Sequence, residues 1–581
     1  MKKRMKLIIA VTLAFAFLFV SCAPADDVGQ PADPPAADEG VQEDATTDEV
    51  ADDETPADVT ADDDDDVADV DDDEDDGLFR GEIVVATIGG PGAENAWRTV
   101  IEAYNQVQPY VEVHVELRPG DGYGEWLQLE MSSGDIRADI VSGGPQRAVG
   151  DWLDFFEYVN RVNPHSGRPW RYDIDIAQQK FISPNGALEI IATDGIKLLL
   201  IYNVDKFEEL GLSPPSNWEE LIEVSELIDE AGYIPIAIAG NEEAFTFGVM
   251  SWLLIIYGDQ FVRDQINVFR AQPGDFNFDD ELDAVWEFDT TDPFNDLPES
   301  VTTNVLRVFQ ALRDDPGAFQ NTPGARRMMY NMSRVFPRFA PEGFWGIDGT
   351  SANALFLQQR ALMRFGATWD VPSLYRDMQD LDAAIEMMLY HNPDAEIDDV
   401  DLAPFNFSTV PYPSMIGDYV QAPLRCFEGA APAWSVVRKD RAHNDMVMDF
   451  FMFVTTGPGY SLFLEGLVEG GGTPAGILII DGAVMPPPYD AIMGDINFGD
   501  GSINDYTTFL FRGGNNMGSL PEFAREVYNN ARDLFMGAID ADEWGDRHEQ
   551  NIRDNFDRIL EIFQINPDDL DHPERQPTGT E

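Results

Sequence analysis

A chain of 581 residues with 44% hydrophobic side chains can bury more than one core, and its two cysteines supply no disulfide framework, so a small stapled scaffold is excluded. Asp and Glu number 107 against 37 Lys and Arg, a formal net charge of −70, which argues against a nucleic-acid partner because phosphate contacts need clustered cations. Six histidines leave few options for metal or nucleophilic chemistry, so neither a metal nor a cofactor is expected.

In chain order, Lys2, Lys3, Arg4 and Lys6 precede an apolar run from Leu7 to Val20, then Ser21 and Cys22. Residues 1–22 therefore read as a secretory signal whose apolar region is short for a transmembrane span. Residues 23–80 read as a disordered acidic linker: from Ala23 to Gly77 there is no Lys or Arg, and the runs Asp62 to Asp66 and Asp71 to Asp76 repel themselves. A flexible acidic run does not pre-organise the six or so oxygens that calcium takes.

Glu82 to Ile88 has the composition of a strand, followed by Gly89, Gly90, Pro91 and Gly92 and by a helix with Trp97, Val100, Ile101 and Tyr104 on one face. GGPG lacks both the Gly-Lys-Ser/Thr of a phosphate loop and the full dinucleotide fingerprint. Val111 to Leu117 alternates as a strand does, Tyr123 to Ser133 is helical, and Asp139 to Val141 forms a third strand ending in Ser142, Gly143 and Gly144. Asp151 to Val159 suggests another helix.

The stretch from Gly195 to Gly240 reads as strand, short helix, turn, helix, strand. Ile196 to Tyr202 is near-continuously apolar, as for a strand covered on both faces. Pro214 and Pro215 end the short helix, Asn217 caps the next with Glu220 three residues on, and Gly232 supplies a left-handed stop. Tyr202, Asn203, Phe207 and Gly211, then Pro214, Pro215, Trp218 and Glu220, then Ala231, Gly232, Pro235 and Ile236 resemble, in register, the sugar-binding branch of the extracellular solute-binding proteins of ABC importers. These residues identify a fold and by themselves bind nothing.

The resemblance implies an α/β, two-lobe periplasmic-binding-protein (Venus-flytrap) fold with inter-lobe hinge crossings near Asp194, Met363 and Ala431. Lobe 1 is then expected at 81–193 and 364–430, and lobe 2 at 194–363 and 431–565 with an insertion at about 259–341, leaving 566–581 as a C-terminal tail. Ser21 and Cys22 resemble a bacterial lipobox, which makes Cys22 the lipidated first residue of the mature chain. Loops after the first and third strands, Gly89, Gly90, Gly143 and Gly144, are implied to face the cleft, in keeping with ligand binding beyond the carboxyl ends of open α/β sheets. Asp194, Asn241, Glu242 and Phe245 are further candidates. The run Phe356 to Trp369 is similar to a family strand that returns to the first lobe and delivers Trp369, with Asp370 beside it, to the cleft. Asp445 to Val454, stopped by Gly457, resembles a second-lobe helix, and Gly472 and Thr473 resemble a cleft loop.

The function so implied is capture of a mono- or oligosaccharide by lobe closure and delivery to an ABC transporter permease. The protein would be a monomer, lipid-anchored on the outer face of the membrane and not an enzyme. Asp, Glu and Asn suit sugar hydroxyls, and Trp, Tyr and Phe suit the apolar faces. A secreted glycosidase, which needs two carboxylates across a scissile bond, and a surface sensor or adhesin on the same fold are the alternatives.

Overall fold

The computed structural model describes residues 77–578 except 91, 119–122, 134–135, 144–151, 177–178, 180–186, 247, 298–299, 392–401, 427, 431, 498–519 and 564. The signal segment, Cys22, the acidic runs, Gly144 and Ala431 lie outside the described residues.

In chain order the elements are β1 (Gly81–Ile88), α1 (Ala93–Tyr104), β2 (Val111–Arg118), α2 (Tyr123–Ser133), β3 (Ile140–Ser142), β4 (Ile191–Ala192), β5 (Asp194–Asn203), α3 (Val204–Leu210), α4 (Trp218–Glu230) and β6 (Ile234–Ala237). There follow α5 (Glu242–Thr246), α6 (Val249–Val262), α7 (Ile266–Phe269), α8 (Val305–Asp314), α9 (Pro323–Ser333), α10 (Gly349–Leu357), β7 (Ala361–Ala367), α11 (Asp370–Asp377) and α12 (Leu381–His391). Then come β8 (Phe407–Val410), β9 (Glu428–Ala430), β10 (Ala433–Val436), α13 (Arg441–Val454), α14 (Gly457–Glu469), β11 (Ile477–Leu478) and α15 (Tyr489–Gly494), and the closing helices Pro521–Phe535 and Ala541–Ile562.

Two sheets make two α/β lobes. The first runs β2-β1-β3-β10-β4 and the second β11-β5-β7-β6, with β8 and β9 also pairing β5. In the first, β1 is parallel to β2 and β3, and β10 is antiparallel to β3 and β4. Its core joins Ile83, Val85, Trp97 and Tyr104 to Trp434 of β10 and to Phe450, Phe451 and Leu464 from α13 and α14. Helices α1 and α14 approach closely because glycines face each other. A Cβ on Gly92 would lie 2.1 Å from the Leu467 carbonyl oxygen, and one on Gly470 would lie 2.5 Å from the Gly92 Cα. Gly92 also has φ 76°, a conformation that glycine adopts without strain.

β5 is buried along nearly its whole length, which explains its unbroken apolar run. Asn217 caps α4 by accepting from the Glu220 amide, and Gly232 turns left-handed after it. Trp218 is 1% exposed and donates from Nε1 to the Asn331 carbonyl at 2.9 Å, so it is a core residue. Helix α6 is mostly apolar and buried accordingly, with Asp259 and Gln260 near its end paired inside the core.

The distribution of segments between lobes differs from expectation. β7 lies between β5 and β6, so the strand ending before Trp369 belongs to the second sheet, and Met363 pairs with Tyr202 in mid-sheet, far from a crossing. β8 and β9 follow it there, whereas β10, α13 and α14 complete the first lobe. The apolar periodicity of these segments was right, but periodicity carries no address. Gly457 opens α14, behind a Thr456 cap, and the expected helix at 151–159 is reduced to a single turn at Phe155–Glu157. The expected linker ends sooner, since the Phe79 amide bonds to Gln108 and β1 begins at Gly81. The expected tail is docked: Pro567–Asp571 form a helical turn with Leu570 1% exposed.

The insertion folds with the C-terminal segment. Phe269, Leu306, Phe309 and Phe319 share a core with Phe523, Ile552, Ile559 and Leu570. A buried charge network secures it. Asp259 takes both Arg263 at 2.6 Å and Arg425, and Arg425 also reaches Asp296, all four residues being 2% exposed or less. The two guanidiniums hold Asp259 below the usual carboxylate range against its burial, and the two carboxylates hold Arg425 above its own.

Candidate functional site

Strand directions locate the cleft. β1 and β3 end at Ile88 and Ser142, where the Ile88 amide bonds to Ser142 Oγ and the Gly143 amide to the Ala433 carbonyl, beside the start of β10. β5 starts at Asp194 and β7 runs back antiparallel to it, so β7 and its parallel neighbour β6 both deliver their carboxyl ends toward the same region. Among the described residues the chain passes between sheets three times there. β4 leads into β5 at Thr193 and Asp194, β9 leads into β10 past Pro432, and β11 pairs with Asp194 and Gly195 on the way out of α14. The Thr193 amide bonds to the Pro432 carbonyl at 3.1 Å and the Ile479 amide to the Thr193 carbonyl at 3.2 Å, tying the three passages side by side.

Most of the sequence candidates converge on this region. Gly89 donates to the Arg118 carbonyl, and the Gly90 carbonyl takes the first amide of α1. The Gly472 nitrogen lies 2.9 Å from where a Cβ on Gly92 would stand, placing the two loops in contact. Thr473, 1% exposed, reaches Ser373 of α11 at 3.4 Å, which connects that loop to the helix that Trp369 caps. Trp369 is half-buried, its ring edge to face with Trp252 at 5.4 Å. Asp370 is turned inward: its carboxylate accepts from the Ala367 amide at 2.7 Å and pairs with Arg364. A Cβ on Gly366 would come within 2.6 Å of that carboxylate, so the glycine makes room for it.

Other candidates are placed differently. Asn241 accepts from the Ala244 amide at 3.0 Å at the start of α5, and Glu242 lies exposed, 3.7 Å from Arg525. Phe245 is 1% exposed, packed against Trp345, Tyr528 and Phe535, and offers no free ring face. Asp194 is 1% exposed inside the hinge. Tyr460 and Thr193 donate to its Oδ2, its Oδ1 has no hydrogen-bond partner among the described residues, and burial pushes its pKa up to about 7.

Sequence reasoning missed a second group on the first lobe. Tyr123, at the start of α2, donates to the Ala86 carbonyl and accepts from the Ser142 amide, bracing the ends of β1 and β3, and burial raises its pKa to about 12. Arg118, the last residue of β2, lays its guanidinium 3.8 Å above the Trp126 ring. The signal was a lone cation at the carboxyl end of a strand in an acidic chain. Trp252 was hidden because the run from Val249 to Tyr257 is too nearly apolar for periodicity to mark a face.

Two α/β lobes, hinged by three adjacent passages and opening their strand ends on a shared cleft, define a ligand-binding protein of the two-lobe class. The chain belongs to the bacterial extracellular solute-binding protein family, whose profile matches residues 90–386, and the family places it outside the cytoplasm. The multiple sugar-binding protein of Streptococcus mutans is 26% identical over 159 residues, which are 25% of this chain and 33% of that protein, so the match spans about a third of its length. Among solved structures, the cyclic alpha-maltosyl-1,6-maltose binding protein from Arthrobacter globiformis superposes with TM-score 0.51 at 16% identity, over 82% of this chain and 99% of that one. Apo RafE from Streptococcus pneumoniae does so with TM-score 0.51 at 15% identity, over 82% and 98%. These likenesses are of fold.

Proposed function

We propose that this protein captures a mono- or oligosaccharide by closing its lobes and delivers it to an ABC transporter permease. It does so as a monomeric binding protein, not an enzyme, held to the outer face of the membrane by lipid on Cys22. The observation that carries the reading is Trp369, a half-buried indole at the cleft end of β7 whose ring Trp252 holds edge-on. An amphipathic ring so fixed loses little entropy when it stacks on the apolar face of a sugar. The loops of Gly89–Gly90 and Gly143, at strand ends of the other lobe, would bring their remaining backbone polar groups to the hydroxyls in the closed state, and closure is driven only by contacts made better there. The carbohydrate-binding names of the relatives agree with this. A thermal-shift screen against a sugar library tests it. A true ligand at 100 times its dissociation constant raises stability by roughly 2.7 kcal/mol. Shifts from amino acids, peptides or polyamines with none from any carbohydrate would overturn the reading.

A further inference from the structure

The guanidinium of Arg118 is fixed but largely unspent. Stacking on Trp126 at 3.8 Å sets its plane, and one Nη donates to Glu116 at 2.7 Å. Its Nε is buried and has no hydrogen-bond partner among the described residues. The side chain is 34% exposed and its charge is paired with Glu116, so what is unmet is the Nε–H alone, while the exposed edge of the guanidinium can take a further acceptor that arrives with a ligand. The group stands at a strand end beside the loop after β1: Arg118 ends β2, its carbonyl receives the Gly89 amide, and its charge reaches the Tyr123 phenol that braces the neighbouring strand ends.

We propose that Arg118 receives a carboxylate of the ligand, and that the solute is therefore an acidic saccharide, one carrying a uronic acid. The inference rests on the carbohydrate reading above and narrows it. A planar guanidinium matches a carboxylate in two parallel bonds, here by exchanging Glu116 for the ligand's acid at the exposed Nη edge, a geometry that a neutral hydroxyl uses only in part. The net charge of −70 does not forbid an anionic ligand. At physiological salt the field of surface carboxylates is screened beyond about 8 Å, whereas a contact in a closed cleft is screened much less. Among the described residues, Glu116 is the competing anion paired with the guanidinium, and its side chain remains 35% exposed, free to turn to water when the ligand arrives. Trp369 on the opposite lobe would take a ring face while Arg118 takes the acid.

The test uses the mature full-length chain and uronate oligosaccharides of two to four rings, from galacturonate, glucuronate and mannuronate series, each paired with its methyl ester, which keeps the rings and hydroxyls and removes the charge. Calorimetry is expected to give at least tenfold tighter binding of one acid than of its ester, weakening as salt rises. Arg118→Gln should abolish that preference and Arg118→Lys retain part of it, with unligated melting temperatures near that of the wild type. Equal affinity for acid and ester, or a preference that survives Arg118→Gln in folded protein, overturns the proposal. Binding of neutral sugars alone leaves the carbohydrate reading standing and removes this one. Failure of every carbohydrate removes both.

Discussion

Asp194→Asn removes a carboxyl from the centre of the hinge with almost no change of shape. In the folded protein the group's pKa is about 7 against an ordinary 3.8, because burial disfavours its charged form more than Tyr460 and Thr193 favour it. The native state therefore holds a proton that the unfolded chain releases. With respect to this group, stability is greatest below about pH 4, falls as pH rises between about 4 and 7, and carries the full penalty above that. Three pKa units at 1.36 kcal/mol each make this roughly 4 kcal/mol, undiminished by solvent because the residue is 1% exposed. The amide does not titrate. Its absolute effect is mixed, since the new NH2 sits where Oδ1 lacks a partner and costs about 1 to 3 kcal/mol. The difference between variant and wild type isolates the titration, because the other acidic groups are common to both. Urea unfolding followed by tryptophan fluorescence from pH 4 to 8 should show that difference moving in favour of the variant by roughly 4 kcal/mol. A difference constant to within about 1 kcal/mol would refute the assignment of a protonated hinge carboxyl.

Trp369→Ala should weaken sugar binding by about 1 to 3 kcal/mol in calorimetry, with a smaller loss for Trp252→Phe, which keeps an edge against the ring; wild-type affinity in the Ala variant would refute stacking. Arg425→Ala leaves Asp259 and Asp296 short of a buried countercharge and should cost about 3 to 5 kcal/mol in denaturant unfolding, whereas a loss under about 1 kcal/mol would mean that water enters the network. Gly92→Ala meets the Leu467 carbonyl and a strained φ together, for an expected loss of about 2 to 4 kcal/mol, and an unchanged melting temperature would show that α1 and α14 separate easily. Cys22→Ala should move the protein from the membrane to the soluble fraction; identical partitioning would exclude a lipid anchor.

The stretch from Gly195 to Gly240 was legible because each of its signals is local: a both-faces-buried strand, a cap at Asn217, a left-handed glycine at 232. Lobe membership was not, because it depends on which distant strand completes which sheet. β7 and β10 have similar apolar content and settle on opposite sides of the hinge by pairing alone. In the site, glycine loops at strand ends could be read from topology, but Phe245 and Asp370 could not be told from ligand contacts. Whether an aromatic or an acid faces the cleft depends on partners such as Trp345 and Arg364, which lie far along the sequence. The same holds for Arg118, whose meaning comes from a ring eight positions on and a glycine loop before it.

The order of the first sheet bears on how the chain emerges during export. Among the described residues β3 and β4 are joined through β10, which starts at Ala433, long after both of them, and the core of that lobe also waits for α13 and α14. The core of Phe269, Leu306 and Phe309 waits longer, for the closing helices. A chain threaded amino end first by the proposed signal would thus cross the membrane with both sheets unfinished, and such non-local closure is slow. It would stay pliable during such passage and fold as a whole outside, where its early apolar segments must be kept apart until the closing helices arrive.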